Sequence, residues 1–364
     1  DFRMVRRSCH CQLGHLKEGR EKLMAGDSES SDGDEALQFT GESADGQRTR
    51  VLLTGGTSGI GLRILRLLVR SGHEVHVLTR QHRVLASLLA DMDHCGCYAV
   101  PALSPSMLVT GLDFDLGDIA RMRDLHDELV AGKADQFKRP YDIVICNAAL
   151  MHPQLTTPRL TADSSSHEHP LDETFLCNVL GHYLLLCGVL AGRPDGHSVR
   201  VVVLTTGAAK IFGTDTGILG WLINLFTATV PRSAAALDGY FAFRHDSGFL
   251  QYFRSKAACV LLAQIFASES ATTALAVHPG NARTPIVARA SGFFFRFIKL
   301  FGRFFVSKTK ECATRVTVAA RMEAPPKDSW LCAGIIKPLP PLYCDYSVIN
   351  NFRQFCHRHA FGED

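Results

Sequence analysis

The sequence predicts a single α/β domain, a doubly wound parallel sheet with helices on both faces. Short valine- and isoleucine-rich runs alternate with longer stretches of helical spacing from Val51 onward. The first of these runs, "VLLTGG", passes through glycines directly into "IGLRILRLLVRSG". The composition suits one packed core: of 364 residues, 46% are hydrophobic and 21% charged.

Each element has its own signal. Ahead of the domain, residues 1–49 are polar, with the acidic Gly/Ser-rich patch "GDSESSDGDE", and are expected to form a disordered tail. The chain begins with Asp1 rather than methionine, which leaves room for a leader or anchor before it. "IGLRILRLLVRSG" has helical spacing and a glycine stop. "HEVHVLTR" alternates as a strand should. Further strand-length runs are "DIVICN", "VRVVVLTT" and "TALAVHPG". Helical stretches between them include "IARMRDLHDELVAG" and "LDETFLCNVLGHYLLLCGVL". Strands joined through helices run parallel, and both sheet faces are then covered. Residues 151–170 and 207–250 break the alternation and are expected to be insertions over one sheet edge, on the substrate side, as is 285–310. Residues 346–364 are expected to be a C-terminal tail.

Charge and cysteine usage narrow the function classes. A net charge of +3 with no long basic run argues against nucleic acid. Twelve cysteines are spread along the chain, several inside apolar runs (Cys146, Cys177, Cys187, Cys259), and read as reduced thiols in a cytoplasmic setting. Cys9-His10-Cys11 and His94-Cys95-Gly96-Cys97 lack the two-residue spacer usual for zinc, so no metal is expected. No apolar run reaches the roughly 20 residues of a spanning helix. "GFFFRFIKLFGRFF", residues 292–305, reads equally as an interfacial helix making peripheral membrane contact or as a lid on the core.

The segment Thr54-Gly55-Gly56-Thr57-Ser58-Gly59-Ile60-Gly61 lies between a strand and a helix. Glycines there permit a tight turn and close backbone approach to a pyrophosphate resting on the helix N-terminus. About twenty residues further on, an acid would bind the ribose of NAD. The second strand instead ends Leu78-Thr79-Arg80, with Arg83 nearby, and a guanidinium suits a 2′-phosphate. NADP(H) is therefore expected over NAD(H).

In "QYFRSKAACVLL", Tyr252 and Lys256 stand four residues apart and share a helix face. A free phenol has a pKa near 10. An ammonium about 4 Å away, at an effective dielectric near 20, would favour the phenolate by roughly 4 kcal/mol. That is enough to make Tyr252 an acid–base group at neutral pH.

With TGxxxGxG at the first turn and YxxSK on a later helix, the sequence resembles the short-chain dehydrogenase/reductase family across roughly residues 50–345. The resemblance implies a Rossmann-type fold and hydride exchange between NADP(H) and a hydrophobic alcohol or carbonyl. It implies adenine contact at Asp115 and Leu116, and "CNAA" (Cys146 to Ala149) stands where the family has Asn-Asn-Ala-Gly, so Asn147, Ala148 and Ala149 would border the cofactor. It makes Asn178, Thr206, Tyr252 and Lys256 the catalytic set, with Asn178 holding a relay water and Lys256 also holding the nicotinamide ribose. Pro279, Gly280 and Thr284 in "HPGNART" would flank the nicotinamide. Thr206, Cys146 and Ala149 depart from the family's usual residues.

Within the family, "FLCNVLGHYLLL", "YFRSK" and "VHPGNART" look most like retinol dehydrogenases and the WW-domain oxidoreductase, while "CNAA" is also similar to protochlorophyllide reductases. Small lipophilic substrates, retinoid- or steroid-like, and a homodimer are implied. The competing expectation is a dinucleotide-binding scaffold or redox sensor that has lost turnover. His278 and His182 are expected to be structural, His182 facing a neighbouring helix.

Overall fold

A computed structural model describes residues 47–95, 103–132, 134–151, 171–207, 209, 233–241, 248–280, 307–322 and 324–362. The tail up to residue 46, both cysteine clusters apart from His94 and Cys95, most of the insertions at 151–170 and 207–250, residues 292–305 and Thr284 lie outside the described residues.

Eight strands form one sheet: β1 (Arg50–Thr54), β2 (Glu74–Leu78), β3 (Val109–Leu112), β4 (Ile143–Cys146), β5 (Val199–Leu204), β6 (Thr272–His278), β7 (Ser329–Cys332) and β8 (Ile335–Pro338). Their order is β3-β2-β1-β4-β5-β6-β7-β8. Strands β1 to β7 pair in parallel, with Val51 opposite both Val75 and Ile143, and Val202 opposite Leu275. The chain direction across the sheet reverses between β1 and β4. A crevice opens there, beyond the carboxyl ends of the strands. The doubly wound α/β prediction holds, with one addition: β8 runs antiparallel to β7 at the edge.

Side chains alternate along each strand, so neighbouring residues feed opposite cores. Leu52, Val144, Val201 and Val203 join one, with residues of α3 (Ile119–Ala131), α4 (Glu173–Ala191) and α6 (Gly248–Ala267). Val51, Leu53, Ile145 and Val202 join the other, beneath α1 (Gly59–Arg70), α2 (His82–Cys95) and α7 (Thr309–Ala319). Both strand faces are buried, which is why the strands read as continuous apolar runs.

Two helix ends follow from their sequences. In α3, the Asp118 carboxylate accepts from the Arg121 amide, and Gly132 closes the helix in the left-handed region at φ 55°. Helix α4 is apolar nearly all round because it is covered nearly all round. Among the described residues it is the one helix long and apolar enough to cross a membrane, yet 78% of its 18-residue window is buried within the fold.

Residues 346–362, the described part of the expected tail at 346–364, do not form a tail. Helix α8 (Tyr346–Phe361) follows Asp345, whose carboxylate caps the Ser347 amide. Val348, Phe352, Phe355, Cys356 and Ala360 recur at helical spacing and are buried. Phe352 and Phe355 stack beside Phe175 of α4 and Phe241 of α5 (Ala234–Phe241). Arg353 pairs with Glu269 at 2.5 Å, and Arg358 and His359 both meet Asp238 of α5. The single-residue departures from an apolar stripe, Arg353 and Arg358, conceal that face when the sequence is read locally.

Candidate dinucleotide and catalytic site

The glycine turn sits at the end of β1, over the crevice. Gly55 has φ +72° and Gly59 φ +58°, conformations that L side chains rarely adopt. Gly61 is required for a different reason: a Cβ there would lie 2.0 Å from Gly55 O and 2.4 Å from Asn147 Nδ2. Ser58 stands at the N-cap of α1 without a side-chain capping bond, and the first turn contains no acidic residue. An uncapped, acid-free helix start beside a glycine cradle fits a pyrophosphate. Thr57 Oγ1 donates to Gln81 Oε1 at 3.1 Å, and Ile60 is half-buried on the first turn of the helix.

β4 supports this turn from the side. The Asn147 amide Nδ2 donates to Thr54 O at 2.9 Å and to Gly55 O at 3.1 Å. The backbone N–H groups of Asn147 and Ala148 both donate to Thr54 Oγ1 at 3.0 Å. One retained asparagine in "CNAA" thus pins two carbonyls of the turn. Cys146, where the family has its other asparagine, is buried in the core, and Ala149 is half-buried at the crevice.

Arg80 and Asp115 meet each other, Nη1 to Oδ2 at 3.3 Å. Asp115 Oδ1 also accepts from the Gly117 amide at 3.0 Å. Two residues assigned separately to the adenosine end are therefore an ion pair spanning the ends of β2 and β3. More than half of the Arg80 side chain is exposed, so the pair is weak and Arg80 is free to turn toward an added anion. Leu116 is buried, and its carbonyl abuts Gly181 of α4, where a Cβ would approach within 2.1 Å. Gly181 was not singled out by the sequence; a glycine inside an otherwise apolar helix was the available signal.

Asn178 lies in a π-helical segment of α4, Leu176–Leu180. Such segments are frequent at functional sites. Its side chain is fully buried. Nδ2 donates to Leu150 O at 3.0 Å and to Ser255 Oγ at 2.9 Å, while Oδ1 accepts from Leu150 N at 2.6 Å. Both amide hydrogens and one lone pair of Oδ1 are thus engaged within the protein. Ser255 Oγ in turn donates to Tyr252 O at 2.7 Å.

Tyr252 and Lys256 share a face of α6, as spacing required. Lys256 Nζ lies 6.0 Å from the Tyr252 ring centre and donates to Leu204 O, at the end of β5, at 2.9 Å. Burial raises the Tyr252 pKa above its ordinary value. The Lys256 charge opposes that rise without reversing it, and Cys259 adds to it. The expectation of a phenol acidified toward neutral pH is corrected accordingly: in this chain by itself, desolvation outweighs a cation held by a competing carbonyl.

Thr205 Oγ1 donates to Lys256 O at 2.6 Å, and its amide donates to Val277 O at 2.8 Å. This brings half-buried Thr206 to the carboxyl end of β5, near α6. Pro279 and Gly280 follow β6, where Arg315 Nη1 donates to Pro279 O at 2.9 Å and to Ser307 Oγ at 3.2 Å. Tyr343 was missed by the sequence reading. Its hydroxyl donates to Ala209 O at 2.9 Å, and the Ala209 amide donates to Thr206 O at 2.9 Å, so a distant tyrosine fixes the segment after β5. Burial lowers the His278 pKa to about 4, consistent with a structural imidazole.

A parallel sheet with a strand-order reversal, a glycine cradle and an uncapped helix start define a Rossmann-type, nucleotide-binding α/β protein. Within that class, residues 49–215 match the family model described as short chain dehydrogenase. The chain is 30% identical over 159 residues to "Probable oxidoreductase" of Streptomyces lividans, covering 44% of this chain and 45% of that protein. It is 27% identical over 270 residues to the chloroplastic protochlorophyllide reductase of Chlamydomonas reinhardtii, covering 71% of this chain and 60% of that one. In both cases the chain spans less than two thirds of the relative's length. The solved structure of an uncharacterized protein from Mycobacterium Paratuberculosis superposes with a TM-score of 0.56 at 20% identity, covering 89% of this chain and 98% of that one, a likeness of fold.

Proposed function

We propose that this chain is an NADP(H)-dependent oxidoreductase that reduces a carbonyl, or oxidises the matching alcohol, on a hydrophobic retinoid- or steroid-like substrate. The observation that carries the reading is that Lys256, one helical turn from Tyr252, meets the Leu204 carbonyl at the end of β5, just before Thr205-Thr206, in a fold whose first turn is a glycine cradle suited to a pyrophosphate.

Bound nicotinamide supplies or accepts the hydride. The chain's own residues do the rest. Thr54, Gly55, Thr57, Ser58, Gly59, Ile60 and Gly61 form the pyrophosphate cradle, and Arg80 meets the 2′-phosphate. Asp115 and Leu116 border the adenine; Asn147, Ala148, Ala149, Pro279, Gly280 and Thr284 border the rest of the cofactor. Lys256 has two N–H groups beyond the one given to Leu204, available for ribose hydroxyls. Thr206 orients the substrate oxygen. Tyr252, whose pKa burial raises above the ordinary phenol value of 10.0, keeps its proton at neutral pH, which suits it to protonate a forming alkoxide.

The test is a panel of lipophilic aldehydes, ketones and alcohols with NADPH and NADP, read at the nicotinamide absorbance, alongside Tyr252→Phe. Turnover is expected to fall at least about 100-fold in the variant with cofactor binding nearly intact. Undiminished turnover removes Tyr252 from the mechanism. Equal affinity for NADPH and NADH removes the role of Arg80, and NADPH binding without turnover of any substrate favours a scaffold.

A second reading, a reductase resembling the protochlorophyllide enzymes, is supported by relatives of that name matching 71% of this chain or more. Adding protochlorophyllide, in light and in darkness, to the panel separates the two.

A further inference from the structure

His182 is buried at the centre of the molecule, on the first turn after the π segment of α4, and faces β1 rather than a neighbouring helix. Its Nδ1 lies 2.9 Å from the main-chain oxygen of Asn178. A carbonyl only accepts, so Nδ1 carries the hydrogen. Burial lowers its pKa to about 4, which leaves the ring neutral and Nε2 with a bare lone pair. That nitrogen lies 2.9 Å from Thr54 Oγ1.

The Thr54 hydroxyl has one hydrogen and two candidate acceptors, His182 Nε2 at 2.9 Å and Ile145 O at 3.5 Å. The shorter contact wins, because 3.5 Å is at the outer limit of a useful hydrogen bond. With its hydrogen aimed at His182, Thr54 Oγ1 turns its lone pairs toward the Asn147 and Ala148 amides, both at 3.0 Å. Asn147 then pins the Thr54 and Gly55 carbonyls of the glycine turn. At the other end, Asn178 ties its own side chain to Ser255 and so to Tyr252.

We infer that His182, as the neutral Nδ1–H tautomer, is a positioning residue that sets the Thr54 hydroxyl and thereby links the shape of the cofactor cradle to the Asn178–Ser255–Tyr252 side of the site. The inference rests on the proposed dinucleotide binding for its functional consequence, but not for its geometry. His182 touches no reacting atom; it acts through Thr54.

Three measurements test it on the full chain. Nitrogen-15 NMR of the histidine side chains reads the tautomer directly; protonated Nδ1 and unprotonated Nε2 are expected for His182, and the opposite pattern overturns the inference with or without cofactor. NADPH titration by fluorescence then compares wild type with His182→Leu and His182→Gln. Loss of the acceptor in His182→Leu is expected to weaken NADPH binding about tenfold, the scale of one buried hydrogen bond. Glutamine, whose side-chain oxygen can stand near the position of Nε2, is expected to restore most of it, which a merely space-filling role would not produce. In a Thr54→Val background, His182→Leu is expected to add little, because the two act in series. His182→Leu binding NADPH as tightly as wild type overturns the inference. If wild type itself does not bind NADPH, the proposed function fails, and the tautomer together with amide-exchange protection at Asn147 and Ala148 still decides the role of His182. Protection retained in His182→Leu overturns it.

Discussion

Asn178 and Ser255 meet through a 2.9 Å hydrogen bond that ties the π segment of α4 to the helix bearing Tyr252 and Lys256. Neither group touches solvent. The helix bearing the phenol is therefore tied to a buried amide 77 residues from Ser255 in sequence, held from its other side by the backbone of Leu150.

Removing the serine hydroxyl breaks that joint. Ser255→Ala leaves one buried Asn178 N–H without a partner, at a cost of about 1–3 kcal/mol. A lower urea midpoint with an unchanged m-value is expected, together with a reduced kcat. An unchanged midpoint would mean that water replaces the hydroxyl.

Gly61→Ala tests the cradle. The added methyl would lie 2.0 Å from Gly55 O, so the turn has to move. NADPH binding is expected to be lost below detection while the far-ultraviolet circular dichroism persists. Retained affinity would show that the pyrophosphate does not rest on this turn.

Acid should destabilise the fold through its buried imidazoles. Burial is the main cause that lowers His73, His182 and His278 to about 4. Between the ordinary histidine value of 6.5 and about 4 the unfolded chain binds protons that the folded chain refuses. Stability is therefore fully present above that window and falls as pH drops through it, by at most about 1.4 kcal/mol per pH unit per group. Glu74, lowered to about 2 chiefly by its hydrogen bond with His76, extends the loss below pH 4.5. Urea midpoints at pH 7 and pH 5 check the sign; equal midpoints would refute it.

Helix α8 is expected to be part of the core rather than an appendage. Phe352 is fully buried against Phe175, Phe241 and Phe355. Phe352→Ala should cost about 3–5 kcal/mol. A thermal midpoint unmoved by the substitution would place α8 outside the cooperative unit.

The α/β class, the glycine turn and the shared face of Tyr252 and Lys256 were legible in the residues alone. Each of these is a local property: strand and helix periods of two and 3.6, φ > 0 at glycine, and residues one helical turn apart. The sequence also placed Arg80 at a strand end and, through the family resemblance, Asp115 at the adenine, but not the two against each other. Relationships between distant segments emerged with folding: Arg80 with Asp115, Lys256 with the Leu204 carbonyl, His182 with Thr54, Tyr343 with Ala209, and α8 over α4. Spacing gives the separation of two groups along a helix, but not the third group that competes for one of them. The Lys256 ammonium shows why that matters. It is held by a β5 carbonyl, and the balance between burial and charge at the tyrosine exists only once the strand and the helix have packed together.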